Sequence, residues 1–214
     1  GKWNVTGERG NEAQGLMERI LNHLEIPYEV GIGEAAFYGP KLDIQIKNVY
    51  GKEDTLITIQ IDQMLAKQFG MVYTDKDGKQ KTPCIIHRTS IGCYERTLAL
   101  LIEKYAGAFP LWLAPVQVKL LPIADRHLDY LYEVKKQLED KGFRCEVDDR
   151  SEKIGYKIRE AQLEKVPYMV VVGDKDIENN TISIRKRKEG DLGAMTVEQF
   201  LAKIVPDRDN KVID

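Results

Sequence analysis

The sequence has few cysteines, no long hydrophobic run and almost no net charge, and each of these features excludes a class of protein. Three cysteines without a CxxC pair form neither a disulfide framework nor a cysteine-rich metal site, which favours a reducing, cytoplasmic location. No apolar run approaches the roughly 20 residues of a membrane-spanning helix, so we expect no membrane association. The first residues lack a signal-peptide core and an Arg-rich transit composition, so we expect no targeting segment.

The charge balance restricts how the protein could contact nucleic acid. The 214 residues carry 32 Lys and Arg against 34 Asp and Glu, a net charge of −2. A protein that coats nucleic acid through its overall field needs a basic excess, and this chain has none. Any RNA or DNA contact must therefore come from a local cluster of basic residues. The 43% hydrophobic content is too high for a disordered chain and sufficient for a buried core.

Hydrophobic periodicity divides the chain into two parts. In the first part, apolar residues at helical spacing predict a helix over residues 12–24, and a short strand is predicted from Tyr28 into a glycine turn. Alternation with period two predicts strands over residues 42–49 and 55–62, joined by a turn, with a further strand over 84–88. A helix is predicted from about Gly92 to Tyr105. This pattern is typical of an antiparallel α+β unit.

The stretch around residues 106–115 has two prolines and several small residues, so we place the domain boundary between residues 109 and 110. After it, strands and helices alternate, which predicts a mostly parallel sheet covered by helices. Strands are predicted over 116–123, 143–147, 168–173 and 181–185, and helices over 127–138 and 154–163. A last helix is predicted to begin after Thr196, with Gln199 completing a capping box.

Two short segments of the first part are ambiguous when considered alone. Residues 31–41 are glycine-rich, but Pro40 separates the last glycine from Lys41 and no Ser or Thr follows, so this is not a P-loop. The segment is either a connection into the hairpin or a turn that directs Tyr38 and Lys41 at a ligand. His87, in an apolar strand, is either an ordinary strand residue or a zinc ligand whose partners are distant in sequence.

Arg96 and the basic cluster at residues 185–188 each have two possible interpretations. Arg96 lies in the first turn of a predicted helix, where the helix dipole disfavours cations, so it is either a solvated side chain or a cation held against an aromatic base or a polyphosphate. The densest basic cluster is residues 185–188. It is either a charged edge strand or, together with Lys153, Lys157 and Arg159, an RNA-binding face.

Taken together, these segments resemble the C-terminal part of the threonyl-tRNA synthetase family, the class IIa aminoacyl-tRNA synthetases that charge threonine. The resemblance runs from about Asn11 to the last helix. Its most specific pieces are GEAAFYGPK at 33–41, TIQID at 58–62 and IHRTSIGCYER at 86–96, followed by WLAPVQV at 112–118, EKIGYKIRE at 152–160 and VPYMVVVGDK at 166–175. The resemblance implies an α+β antiparallel-sheet portion of a class II catalytic domain, containing motif 3, over 1–109. It implies an α/β anticodon-binding domain with a mixed, mostly parallel five-stranded sheet over 110–214.

The resemblance also implies roles for individual residues. Arg96 matches the motif 3 arginine that packs on the ATP adenine and reaches the phosphates, and Gly92 is the glycine four residues before it. The other pocket residues match those lining the threonyl-adenylate site, with Tyr38 and Lys41 grouped with Arg96 as catalytic and Thr58 and Gln60 as adenylate-binding. Thr55 stands where many relatives carry glutamine.

His87 matches one zinc ligand of the family, in which the metal holds the amino and hydroxyl groups of threonine and so rejects valine. In the second part, four residues match anticodon-facing positions: Ser151, Arg159, Asp176 and Arg185. Ser151 and Asp176 depart from the Asn and Glu that are frequent in the family.

The implied reaction is activation of threonine with ATP and Mg²⁺, followed by transfer to tRNA(Thr) by a homodimeric parent enzyme. Motifs 1 and 2 and the other two zinc ligands are not in the sequence, so we expect the chain alone to be inactive in ATP–pyrophosphate exchange and to hold no zinc tightly. Two alternatives remain: a free-standing tRNA-binding or regulatory paralogue without catalysis, and a paralogue that charges another amino acid.

Overall fold

The computed structural model describes residues 8–31, 36 and 38–213. Residues 32–35 and 37, which include much of the predicted glycine turn, lie outside the described residues. The chain divides into two compact units between Leu100 and Leu101. The predicted boundary at 109/110 stays a prediction, and each unit is described by itself.

The first unit is built on a three-stranded antiparallel sheet in the order β1-β2-β5. Asn48 closes the predicted β1–β2 turn, because its side-chain oxygen accepts hydrogen bonds from the Tyr50 and Lys52 amides. The elements are α1 (Glu8–His23), β1 (Lys41–Lys47), β2 (Glu53–Asp62), α2 (Leu65–Gln68), β3 (Tyr73–Thr74), β4 (Gln80–Lys81), β5 (Ile85–Arg88) and the first residues of α3 (Tyr94–Tyr105), within which the division at Leu100 falls.

The second unit is an α/β domain with a five-stranded mixed sheet in the order β10-β9-β8-β6-β7. Four of its strands run in one direction and β9 runs in the other, which confirms the predicted mixed, mostly parallel sheet. A 3₁₀ turn (Asp125–His127) precedes α4. The elements are β6 (Val118–Pro122), α4 (Leu128–Asp140), β7 (Cys145–Val147), α5 (Ile154–Leu163), β8 (Tyr168–Val172), α6 (Asp174–Glu178), β9 (Ile182–Lys186), β10 (Gly190–Met195) and α7 (Val197–Asp209).

Helices cover both faces of this five-stranded sheet. On one face, α4 and α7 pack on alternate residues of β6, β8 and β9 around the fully buried Phe200 and Leu120. On the other face, α5 contributes Ala161 to a smaller cluster with Leu121 and Met169. The predicted capping box at the start of α7 is confirmed: the Gln199 amide donates to Thr196 Oγ1 at 3.2 Å, and the Thr196 amide donates to Gln199 Oε1 at 3.0 Å.

The local structure differs from the sequence-based interpretation in three places. The strand predicted from Tyr28 does not form over residues 28–31, where Tyr28 and Val30 are exposed and no described strand pairs with them. Strand β10 was not predicted, because its glycines break the alternation of polar and apolar residues. Residues 185–188 do not form an edge strand, since β9 pairs with β8 on one side and β10 on the other.

Among the described residues, every helix is too short or too polar to cross a membrane.

Candidate active-site face and candidate RNA-binding face

One face of the three-stranded sheet in the first unit is polar, and it gathers most of the predicted pocket residues. The strand register places Lys41 opposite Gln60 and Gln60 opposite His87. Residues directly opposite in antiparallel strands project from the same face, as do alternate residues of one strand. Thr58 therefore lies on this face as well, opposite Asp43. We call these residues, with Asp62, the polar sheet face.

Tyr38 lies beside the centre of the polar sheet face. Its hydroxyl donates to Gln60 Oε1 at 3.0 Å, and its ring meets the His87 ring edge-on at 6.4 Å between centroids. Gln60 is only 8% exposed, and its buried Nε2 has no hydrogen-bond partner among the described residues. A buried donor without a partner is costly, so this amide is suited to a ligand that supplies an acceptor.

His87 is held by Asp62, at the end of the neighbouring strand. Its Nε2 lies 3.0 Å from Asp62 Oδ2, and Asp62 is completely buried. Asp62 Oδ1 accepts from the Met64 and Leu65 amides at 2.8 and 2.9 Å. Burial raises the pKa of Asp62, but the hydrogen bonds from Leu65, His87 and Met64 outweigh it and leave the pKa below its ordinary value. The carboxylate is therefore an ionised acceptor.

Asp43 connects two further predicted residues. Thr58 Oγ1 donates to Asp43 Oδ1 at 2.7 Å, and Lys41 Nζ pairs with Asp43 Oδ2. Asp43 and Asp62 had no role assigned from sequence. The sequence pattern that could have identified them is the period-two spacing of the strands, which places Asp43 on the same face as Lys41 and Asp62 on the same face as Thr58 and Gln60.

Arg96 and Gly92 contact β2 at a different position. Arg96 Nη1 donates to the Thr55 carbonyl at 2.7 Å. Gly92 has φ of +71°, and a Cβ there would lie 2.2 Å from the Leu56 carbonyl oxygen, so only glycine allows this approach. Gly92 and Arg96 thus fix the start of α3 against Thr55 and Leu56 of β2, three and two residues before Thr58.

The described residues do not form a zinc site by themselves. His87 is on the polar sheet face, but the described part of the chain contains no group of three or more His, Cys, Asp or Glu able to hold a metal ion. One imidazole does not make a structural or catalytic zinc site, which takes three or four protein ligands.

In the second unit, Arg185 lies on the face of the sheet that carries α5. It stands opposite Met169 of β8, which packs with α5, and opposite Asp191 of β10. Arg185 Nη1 donates to Asp191 Oδ2 at 3.3 Å, and its buried Nε has no partner among the described residues. A single, long hydrogen bond to an exposed carboxylate leaves most of the guanidinium's donors available.

The other three predicted anticodon residues differ in how they are held. Arg159 is exposed on α5, and Ser151 is exposed in the loop that precedes α5. Asp176 is half-buried, and both of its oxygens accept hydrogen bonds within the unit, from Ser183 Oγ at 2.8 Å and the Gly173 amide at 2.9 Å. Asp176 therefore joins the end of β8 to β9.

The proposed extension of the basic cluster is wrong at Lys157. This lysine is 2% exposed, and its Nζ donates to the Asp148 and Pro122 carbonyls, so it cannot contact RNA. Arg187 is also directed at the protein backbone, with bonds of 2.6 and 2.7 Å to the Lys165 and Phe109 carbonyls. The candidate RNA-binding residues remain those that the resemblance implies, Ser151, Arg159, Asp176 and Arg185.

Family models match both units. The model described as tRNA synthetase class II core domain (G, H, P, S and T) matches residues 7–105. The model described as anticodon binding domain matches residues 117–206.

Curated relatives share this sequence at high identity. The chain is 61% identical over 198 residues to the threonine–tRNA ligase of Clostridium perfringens and 47% identical over 207 residues to that of Geobacillus kaustophilus. These alignments cover 92% and 96% of this chain but 31% and 32% of the two relatives, so the chain spans about a third of their length.

A solved structure has a similar fold. The crystal structure of the RNA binding domain of threonyl-tRNA synthetase from Cryptosporidium parvum Iowa II matches with a TM-score of 0.83 at 31% identity. The match covers 95% of this chain and 52% of that one.

Proposed function

The chain belongs to the threonyl-tRNA synthetase family, and we propose on that basis that it supplies the end of the catalytic domain and the anticodon-binding domain of a threonine–tRNA ligase. The reaction is activation of threonine by ATP, with Mg²⁺, to an adenylate, followed by transfer to tRNA(Thr). The observation that carries the proposal is the polar sheet face, where predicted pocket residues from three strands lie on the same face as the buried Gln60, whose Nε2 has no partner among the described residues.

The pocket residues act by positioning and by charge, not as nucleophiles. Gln60 Nε2 and the Tyr38 hydroxyl orient the adenylate, and the 3.0 Å hydrogen bond between Tyr38 and Gln60 supports this role. Lys41 and Arg96 supply positive charge for the phosphates, and Gly92 sets the backbone from which Arg96 extends. Thr58 is held by Asp43 on the same face.

His87 is assigned to recognition of threonine, as one of the residues that hold zinc in the family. A zinc site takes three or four protein ligands, and the resemblance assigns only His87 to this chain, so the metal belongs to the parent enzyme and the lack of tight zinc retention by this chain alone stays a prediction. Absence of ATP–pyrophosphate exchange by the 214 residues stays a prediction, as do the homodimer and the cytoplasmic location of the parent protein.

The second unit is assigned to recognition of the tRNA(Thr) anticodon through Ser151, Arg159, Asp176 and Arg185. Single-stranded bases are read by hydrogen bonds and by stacking on planar groups such as guanidinium. Arg159 and Arg185 provide two such groups on the α5 side of the sheet. Near-neutral overall charge is compatible with this mode, because a few positioned arginines and not a basic field make the contacts.

Binding of tRNA(Thr) to the purified chain tests this assignment. We expect Arg159→Ala and Arg185→Ala each to cost about 1–3 kcal/mol of binding free energy, measured by fluorescence anisotropy with labelled tRNA. Lys136→Ala is the matched control, because Lys136 is an exposed cation on α4, which covers the opposite face of the sheet. Wild-type affinity in the double variant, or an equal loss in the control, would contradict the assignment.

The relatives favour this function over a free-standing RNA-binding paralogue. The pocket residues Tyr38, His87 and Arg96 have no use in a pure RNA binder, and the similar curated proteins are threonine–tRNA ligases.

A further inference from the structure

We propose that Asp62 is a positioning residue that fixes the orientation and tautomer of the His87 ring, so that Nδ1 is the nitrogen presented to the ligand. The proposal rests on the proposed function in one respect, the placement of His87 in the threonine pocket. The geometry itself does not depend on that function. Asp62 touches no substrate in this account and acts only through His87.

Both oxygens of Asp62 are committed, so its orientation is fixed. Oδ1 accepts from the Met64 and Leu65 amides at 2.8 and 2.9 Å, which directs Oδ2 at His87 Nε2, 3.0 Å away. The Asp62 side chain has no solvent exposure. A carboxylate held this way cannot rotate to serve another partner without breaking two backbone hydrogen bonds in a buried position.

The chemistry of the pair then determines the state of the ring. An ionised carboxylate only accepts hydrogen bonds, so the nitrogen that faces it must carry the proton. In the neutral imidazole this leaves Nδ1 unprotonated, with its lone pair in the ring plane. No described residue donates a hydrogen bond to Nδ1, and 48% of the His87 side chain is exposed.

Nδ1 is therefore suited to a Lewis acid or to an N–H or O–H donor. The His87 ring lies beside Tyr38, and Gln60 is its cross-strand neighbour on the polar sheet face; both residues line the proposed threonine and adenylate pocket. Ligating histidines commonly have the other ring nitrogen bonded to a carboxylate, which fixes the tautomer and raises the basicity of the ligating nitrogen. The Asp62–His87 pair has this arrangement.

The chain contains internal references for a test, because it has only three histidines. His23 ends α1 and is exposed, so it reports an unconstrained ring. His127 also faces a carboxylate, with Nε2 2.9 Å from Asp174 Oδ1, but its Nδ1 accepts from the Ala124 amide at 3.1 Å. The tautomer of His127 is thus set by the backbone and does not depend on Asp174 alone.

The measurement is long-range ¹H–¹⁵N correlation NMR on the wild-type chain labelled at histidine, at a pH above the usual histidine titration range. We expect His87 to favour the Nε2–H tautomer at least about tenfold more strongly than His23 does, since charge-assisted hydrogen bonds are strong. A slowly exchanging Nε2–H signal should accompany it. A His87 tautomer ratio equal to that of His23 would overturn the proposal without any variant being made.

Asp62→Asn provides the second arm. The asparagine Oδ1 would still accept the hydrogen bonds from the Met64 and Leu65 amides. This places the Nδ2 donor opposite His87 Nε2. We therefore expect the tautomer to invert, with Nε2 unprotonated and the proton on Nδ1, while His23 and His127 stay unchanged. A merely structural role for Asp62 predicts no inversion in a folded variant, so an unchanged His87 tautomer would also overturn the proposal.

Asp43→Asn is the matched control, because Asp43 lies on the same face and bonds Thr58 and Lys41 but not His87. It should leave the His87 tautomer as in the wild type, and a matching inversion in this variant would overturn the specific role of Asp62. Failure of the purified chain to bind tRNA(Thr) would contradict the proposed function and leave these tautomer results unaffected, so the two failures can be distinguished.

Discussion

The second unit buries far more hydrophobic side chains than the described part of the first unit does. In the second unit the buried residues are mostly hydrophobic and surround the fully buried Phe200 and Leu120. In the described part of the first unit, Asp62 and Gln60 are among the most buried side chains, whereas Leu16 and Ile86 are 46% and 65% exposed.

This difference indicates which unit has the larger free energy of unfolding. Burial of apolar surface is the dominant favourable contribution to folding, and the second unit has it in a contiguous core. The described part of the first unit has only three buried hydrophobic side chains, Ala13, Leu21 and Ala66, beside the polar Gln60 and Asp62. Hydrogen-bonded polar groups contribute little net stability but can position a site. We therefore expect the second unit to be the more stable of the two, and changes to each unit should affect stability in different ways.

The largest expected effect is on the second unit's core. Phe200 is fully buried, and its ring meets the Tyr168 ring edge-on at 5.4 Å. Phe200→Ala should lower the free energy of unfolding of this unit by about 3–5 kcal/mol, because it removes apolar contacts and leaves a cavity. Urea denaturation, monitored through NMR signals assigned to each unit, measures the free energy of unfolding of the second unit separately. Leu163→Ala, at a 71% exposed site, should change little. A loss below about 1 kcal/mol for Phe200→Ala would contradict the comparison.

A smaller effect is expected from backbone strain in the first unit. Gly92→Ala forces a side chain into φ of +71° and places Cβ 2.2 Å from the Leu56 carbonyl oxygen. We expect a loss of about 1–3 kcal/mol in the first unit, with faster amide exchange in β2, because the start of α3 must move away from that strand.

Gly78→Ala is the control for this change. Gly78 has φ of +75° but has open space around its Cβ position, so this variant carries the strain of the backbone alone. Equal losses in the two variants would show that the close approach to β2 is unimportant.

The smallest effect is the acid sensitivity that Asp148 confers on the second unit. The hydrogen bond from Arg150 lowers the pKa of this buried carboxyl below its ordinary value. A lowered folded-state pKa means that Asp148 stabilises the unit above the unfolded pKa, near 4, and that this stabilisation is lost as the pH falls towards the folded value.

Asp148→Asn should therefore flatten the decline in stability below about pH 4, by an amount on the order of 1 kcal/mol. Urea unfolding at several acidic pH values measures the slope. Asp149→Asn, at the adjacent exposed carboxyl, should keep the wild-type slope. Parallel slopes for wild type and Asp148→Asn would remove Asp148 as a cause of acid sensitivity.

Local patterns predicted much of the second unit. Helix α5 runs from Ile154 to Leu163 as its apolar spacing predicts, and the Thr196 capping box forms as expected. Strand β10 was missed because Gly190 and Gly193, both at positive φ, replace the side chains that would give an alternating signal. Lys157 was misassigned to the surface, since sequence does not reveal that the Pro122 and Asp148 carbonyls meet beneath α5 to receive its ammonium group.

The sequence by itself determined the family, the α+β and α/β character of the two parts, and the period-two placement of Thr58, Gln60 and Asp62 on one face. Only the tertiary structure decided what those side chains contact. The partner of His87 is Asp62, 25 residues earlier, because the antiparallel register of β2 and β5 brings the two strands together. Strand alternation is a local property of the backbone, whereas register depends on the turns and packing of the whole sheet, so hydrogen-bond partners such as these are read only from the folded chain.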